Sequence, residues 1–443
     1  MGVRHRLLAL AAALGVAAGG FAVAVTGGGV ASAAVACSGT VWREGPTYTA
    51  GQQVTYNAHL YQALVTHTAY AGTGWNPAAT PTLWRDLGAC TGGPTTPPPT
   101  TTPPPSTPPP TTRPPTTPPP TTTPPPVGCA TRGKPAGKVL QGYWENWDGA
   151  SNGVHPGMGW IPINDSRITQ HGYNVLMAAF PVIRSDGTVL WENGMDAGVK
   201  VPTAAEICAA KAQGATILMS IGGATAGVDL SSAAVADRFV STIVPILRQY
   251  NFDGIDIDIE TGLTGSGNIN QLSTSQANLI RIIDGVLAAM PSNFGLTMAP
   301  ETAYVTGGSV TYGSIWGSYL PIIKKYLDNG RLWWLNMQYY NGSMYGCSGD
   351  SYGAGTVQGF TVQTQCLNNG LTIQGTTIRI PYDKQVPGLP AQPGAGGGYM
   401  TPALVTQAYN SVPGIKGLMT WSINWDGSKA WTFGDNVKRL QGR

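Results

Sequence analysis

The chain has 443 residues, of which only 11% are charged, and a formal net charge of +3. That length exceeds one typical domain and predicts two folded units plus some non-globular sequence. The sparse charges are well mixed, without a basic run interleaved with aromatics or an acidic tail, which argues against nucleic acid or a cationic macromolecule as partner.

The N-terminus has the form of an export signal. Arg4 and Arg6 precede an apolar run over 7–25, and Ala31-Ser32-Ala33 is a small-residue cleavage site. Glycines at 15, 19 and 20 interrupt the run and no charged stop-transfer follows, so a signal over 1–33 is expected rather than a membrane helix. Export places the protein outside the cell, where its six cysteines are readable as three disulfides.

Residues 37–90 form a short segment bounded by Cys37 and Cys90 and rich in Trp and Tyr. Residues 54–56 and 61–65 alternate like strands around a hairpin loop at 57–59. So small a unit has little core, and a disulfide joining its ends helps it fold alone. Residues 91–127 are almost entirely Pro and Thr, an extended semi-rigid tether.

From 128 to 443 strand-like and helix-like runs alternate. The strands are expected at 139–143, 175–180, 216–220, 254–260, 295–299, 333–340, 377–381 and 417–421, with amphipathic helices among them at 203–212, 232–250, 275–290, 314–327 and 402–410. Eight such repeats predict an α/β fold of the (β/α)8 TIM-barrel type, whose active residues lie at the C-terminal strand ends.

The fourth of these strands is the unusual one. Over 252–260 the sequence reads Phe-Asp-Gly-Ile-Asp-Ile-Asp-Ile-Glu, four carboxylates within nine positions of a chain poor in charge. With a period of two, Asp256, Asp258 and Glu260 share one face, about 6.5–7 Å from neighbour to neighbour, and the isoleucines take the other. Like charges so close raise the cost of ionising them all, so at least one proton is expected to stay near neutral pH. A divalent cation held by the three acids is an alternative that needs further oxygen ligands from other strands. The five histidines show no metal-ligand spacing. Two Gly-x-Ser-x-Gly matches, at 149–153 and 349–353, do not follow apolar strands, which argues against a serine hydrolase.

Two resemblances add to this. Asp253-Gly254-Ile255-Asp256-Ile257-Asp258-Ile259-Glu260, preceded by Ser220-Ile221-Gly222-Gly223, resembles glycoside hydrolase family 18, the retaining chitinases. Gly142-Tyr143-Trp144, Met298-Ala299-Pro300, Gln338-Tyr339-Tyr340-Asn341 and Met419-Thr420-Trp421 match on other strands. The first segment, with its run over 48–56 and Gly74-Trp75-Asn76-Pro77, resembles carbohydrate-binding families 5 and 12, small chitin-binding modules, and the two resemblances together imply a secreted chitinase of bacterial source.

The family resemblance implies hydrolysis of β-1,4 N-acetylglucosamine linkages by substrate-assisted catalysis. Glu260 is then the proton donor, Asp258 the partner of the substrate's acetamido N–H, Asp256 the group sharing charge with Asp258, and Tyr340 the donor to the acetamido oxygen. Trp421 is the floor of the subsite, with Tyr143, Met298, Gln338 and Asn341 lining it, while Asp253 and the 220–223 run are structural. In the module Trp75 is the exposed stacking ring, with His67, Thr68, Pro77 and Pro81 around it. Cysteine pairs Cys37–Cys90, Cys129–Cys208 and Cys347–Cys366 follow from proximity along the chain and from the domain boundaries.

The expected partner is chitin with its oligosaccharides; a monomer with no cofactor, metal or membrane association is expected. A short connection after the seventh strand, about 382–416, predicts an open groove and internal cutting. An endo-β-N-acetylglucosaminidase acting on glycoprotein glycans, or a non-catalytic lectin, are the alternatives.

Overall fold

In a computed structural model of the chain, residues 35–37, 39–43, 46–49, 51–64, 67–69, 76–78, 84–91, 128–149, 158–224 and 227–443 are described. They fall into two compact units, one within residues 1–113 and one within 114–443. The signal expected over 1–33, the tether beyond residue 91, Trp75 and Pro81 lie outside the described residues.

The first unit is built on a five-stranded sheet in the order Val35–Ala36, Trp84–Thr91, His59–Ala63, Gln53–Tyr56, Thr40–Val41. Tyr48, Val54, Tyr61, Ala63, Ala69 and Trp84 form its small core. Cys37 and Cys90 are joined with their Cα atoms 5.0 Å apart. The hairpin is tighter than the sequence suggests. Asn57 and Ala58, both at positive φ, make a two-residue turn, and His59 already pairs with Tyr56. Such a turn matches the right-handed twist of the flanking strands.

In the second unit eight parallel strands carry the site: β1 Val139–Glu145, β2 Val175–Ala179, β3 Thr216–Gly223, β4 Gly254–Ile259, β5 Gly295–Met298, β6 Trp334–Leu335, β7 Gly388–Pro390 and β8 Gly417–Trp421. Their order is β6-β5-β4-β3-β2-β1-β8-β7, and parallel bridges Leu335–Gln385 and Gln338–Gly388 join the two ends. Helices α1 Ser166–Gln170, α2 Ala204–Ala212, α3 Ala233–Gln249, α4 Thr274–Ala289, α5 Leu320–Asp328, α6 Val357–Asn369 and α7 Pro402–Ser411 alternate with them, and α8 Ile423–Gly427 and α9 Thr432–Leu440 end the chain. Capping boxes at Thr203 and Ser273 start α2 and α4 by satisfying backbone N–H groups on both sides of the cap.

Two expectations are corrected. The β-branched run at 377–381 is not the seventh strand. Thr376–Ile378 instead pairs antiparallel with Leu371–Ile373, and the barrel rung is the short Gly388–Pro390 segment. A Cβ at Gly388 would lie 2.2 Å from the Met419 methyl, so packing against β8 selects glycine where propensity favours threonine and isoleucine. The helix expected at 314–327 begins only at Leu320, with Pro321 in its first turn, after a run of turns ending at Tyr319.

Ile255, Ile257, Ile259, Leu296 and Met298 pack in the layer between barrel and helices, whereas Tyr143, Met177, Leu218, Trp334 and Met419 fill the barrel interior. Cys208 of α2 ties down Cys129 near the start of the unit, and Cys366 of α6 closes the loop after β6 through Cys347. Among the described residues no helix is long and apolar enough to cross a membrane.

Candidate active site

The alternation along β4 sends Asp256, Asp258 and Glu260 toward the barrel axis and mouth and leaves the isoleucines fully buried behind them. Asp256, wholly buried, accepts from Tyr143 Oη at 2.7 Å, Ser220 Oγ at 2.8 Å, Thr297 Oγ1 at 2.6 Å and Asn336 Nδ2 at 3.1 Å. Four donors fill the lone pairs of one carboxylate, and they oppose the upward push of burial on its pKa.

Asp258 and Glu260 share the amide of Gln338, whose Nε2 lies 2.9 Å from Asp258 Oδ1 and 2.9 Å from Glu260 Oε1. Burial, then the charges of Glu260 and Asp256, push Asp258 well above the carboxylate range. Burial is also the main cause raising Glu260 from its ordinary 4.5 to about 7. The pair therefore holds a proton at neutral pH, and Glu260, at the mouth, is placed to give it up.

Close approach explains the glycines of the β3 motif. Gly222 has φ +111°, and a Cβ there would sit 2.1 Å from the Asp258 carbonyl oxygen. Gly223, at φ +81°, would drive a Cβ to 2.9 Å from the Phe180 ring. Only residues without side chains let β3 pair with β4 this tightly while Phe180 crosses the strand end.

Tyr340 is buried to 6% exposure beside this row, and burial followed by the charge of Asp258 pushes its phenol well above 10, so it remains a donor. Trp421, half-buried at the end of β8, stacks on Phe180 at 5.9 Å and 14°, with Tyr143 at 5.5 Å and Trp147 at 6.1 Å. Tyr143 does not face the cleft as a wall residue; its hydroxyl is spent on Asp256. Asn341, exposed and at φ 63°, accepts from Gly397 N at 2.7 Å and so holds the loop between β7 and β8.

Met298 is a correction. Its register partner is Ile257, not an aspartate, so it points away from the cleft and is fully buried between barrel and helices; its neighbour Thr297 is the residue that faces Asp256. Asp253, at the opposite end of β4, pairs with Lys211 at 2.7 Å and accepts from Arg132 N at 2.6 Å, far from any cleft chemistry.

Residues that the sequence reading did not single out are Phe180, Trp147, Asn336, Thr297 and Glu301. Glu301 lies three residues past the end of β5 and is raised in pKa by burial; its signal was a carboxylate just past a barrel strand end. In the module, His67–Thr68 pairs with Thr47–Tyr48, and Pro77 is buried rather than presented to a ligand.

The model of glycosyl hydrolases family 18 matches residues 139–342. Endochitinase 37 of Trichoderma harzianum is 82% identical over 309 residues, 70% of this chain and 92% of that protein. The chain belongs to glycosyl hydrolase family 18. Endochitinase 4 of Metarhizium robertsii is 80% identical over 311 residues, again 70% of this chain and 90% of the relative. Both are fungal, so they give no support to the expected bacterial source. A crystal structure of a family 18 chitinase from Chromobacterium violaceum superposes with a TM-score of 0.60 at 30% identity, covering 92% of this chain and all of that one. Residues 41–85 match carbohydrate-binding module family 5/12.

Proposed function

We propose that the protein is a secreted, monomeric endochitinase that hydrolyses β-1,4 N-acetylglucosamine linkages within chitin chains with retention of configuration. The observation that carries this is Glu260, raised to about 7 and linked through one amide donor to Asp258. It is the protonated acid that a glycosidic oxygen needs at neutral pH.

Asp258, next to Glu260 on β4, is read as the partner of the acetamido group and not as a separate nucleophile, as in substrate-assisted retaining enzymes. The substrate's own 2-acetamido oxygen attacks the anomeric carbon while Glu260 protonates the departing oxygen and the bond between them breaks. Asp258 accepts from the acetamido N–H and opposes the charge of the cyclic oxazolinium; Tyr340 donates to the acetamido oxygen. Water then adds to the anomeric carbon, its proton returns to Glu260, and the ring opens. Asp256, held by four donors, steadies the negative end of the row. Trp421, backed by Phe180, is the floor under the reacting sugar.

The similarity to proteins named endochitinases, and the short 391–416 connection, which carries only α7, favour internal cutting over the glycoprotein-glycan and lectin alternatives. The module over 37–90, bound to a solid surface by Trp75 and joined to the barrel by the 91–127 tether, raises the local concentration of the barrel at chitin. Incubation with colloidal chitin, followed by product sizing and NMR of the newly formed anomer, tests the proposal. Mixed-length oligosaccharides released first as the β-anomer are expected. Initial α-anomer, or release of glycans from a glycopeptide without attack on chitin, would overturn it.

A further inference from the structure

We infer that Tyr304 and Tyr319 are positioning residues for Glu260: Tyr319 takes the place of missing sheet rungs at the end of β4, and Tyr304 holds the carbonyl of the acid itself. The inference rests on Glu260 as the proton donor. On β4 the peptide groups of Ile257 face β5, where Ala299 N donates to Ile257 O at 2.8 Å. Ile259, two residues on, faces the same way, but β5 ends at Met298, just short of Ala299 and Pro300. A continuing parallel ladder would offer Ile259 N the carbonyl of Ala299 and Ile259 O the N–H of Glu301. Neither rung forms. The Ala299 carbonyl accepts instead from Gln338 Nε2 at 3.0 Å.

Tyr319 fills the gap. Its hydroxyl accepts from Ile259 N at 2.9 Å and donates to Ile259 O at 2.9 Å, the one donor and one acceptor role a single phenol can play together. Tyr304 adds the next contact, donating to Glu260 O at 2.5 Å. Both rings are buried and meet edge to face at 6.0 Å, and Tyr319 N donates to Tyr304 O at 3.0 Å. Burial first, then the charges of Glu301 and Glu260, raise the Tyr304 phenol to about 12, which keeps it a donor throughout the working range. The backbone of the acid is thereby fixed from two sides while its side chain stays at the mouth. An acid that must protonate one oxygen gains from that fixity only when proton transfer is part of the barrier.

The leaving group therefore supplies the test. Tyr304→Phe removes one oxygen atom, and kcat and KM are measured on a fully N-acetylated chito-oligosaccharide and on a 2,4-dinitrophenyl N-acetylchitobioside, whose leaving group departs without a proton. General acid catalysis is worth roughly 10²–10⁴-fold. We expect kcat on the oligosaccharide to fall about tenfold with KM little changed, and kcat/KM on the dinitrophenyl substrate, which reports only the bond-breaking step, to change less than about twofold. Glu260→Gln should show the same split, larger. Equal losses on both substrates in Tyr304→Phe, or no loss on either, would overturn the inference while leaving Glu260 as the acid. If Glu260→Gln itself shows no dependence on the leaving group, the acid assignment fails instead. Tyr319→Phe, measured the same way, tests the second phenol independently, and the dinitrophenyl reaction reports in each variant whether the folded site is present.

Discussion

Gln338 Nε2 stands 2.9 Å from Glu260 Oε1, and this amide is the donor that favours the ionised form of the acid. Gln338→Leu withdraws it. The charged form of Glu260 then loses a partner, its proton is held more tightly, and the basic limb of the kcat/KM profile moves to higher pH. An accompanying loss of about 1–3 kcal/mol in stability is expected, because the buried Ala299 carbonyl loses its donor too. A basic limb that stays in place or moves down would contradict this account of Gln338.

In the proposed mechanism Glu260 acts with its proton, so activity on soluble oligosaccharides should be steady on the acid side of about 7 and fall as pH rises through that value. Stability has the same sign. The pKa in the folded protein is raised above the ordinary 4.5, so the folded state binds the proton more tightly than the unfolded chain. The contribution is fully present below about 4.5 and is lost as pH rises through about 7. Glu260→Gln removes the ionisation and should be more stable than the parent at pH 8, by up to about 3 kcal/mol, with little difference at pH 5. Urea unfolding at the two pH values measures it; a variant less stable than the parent at pH 8 would refute the sign.

The row on β4 was legible because a strand's period of two is the simplest regularity a sequence can carry, and β8 falls on 417–421 in both sequence and structure. Met298 shows the limit of that legibility. A motif match places a residue on a strand, but the face it takes depends on register with the neighbour, and register put Thr297 beside Asp256. The seventh strand was missed because Gly388–Pro390 is selected by the Met419 side chain on the adjacent strand β8, a contact that local propensity cannot express. Phe180 and Trp147 are distant in sequence from Trp421 and carry no motif; only closure of the barrel stacks them. The phenols that hold the end of β4, Tyr304 and Tyr319, are hidden for the same reason, being 44 and 60 residues away from the peptides they hold.

Lys211 and Asp253 form an ion pair 2.7 Å long, with side chains 4% and 0% exposed. Breaking such a pair strands a buried charge. Lys211→Met should cost about 3–5 kcal/mol in urea unfolding, while kcat on soluble oligosaccharides measured well below the transition stays close to that of the parent. Lys324→Met, at a surface pair with 41% and 63% exposed side chains, should cost less than about 1 kcal/mol. Comparable losses at the two pairs would show that burial does not set the worth of the first.

The binding module and the barrel each have their own core, so removal of residues 37–90 should leave the barrel folded. What is lost is tethering. A bound module holds the barrel at a high effective concentration near a solid surface, an advantage of about 10²–10⁴-fold in avidity that cannot apply to a substrate free in solution. The truncated chain should therefore lose activity on insoluble chitin several-fold or more while its kcat/KM on a soluble N-acetylated oligosaccharide stays within about twofold. Cys37→Ser with Cys90→Ser should imitate the truncation in the full chain, because the disulfide joins the ends of a segment with only a small core, and losing such a bond typically costs 2–5 kcal/mol. Retention on solid chitin, measured by depletion from solution, separates the two effects. If the truncated chain loses activity equally on soluble and insoluble substrates, the module acts on the barrel's chemistry and not through the surface.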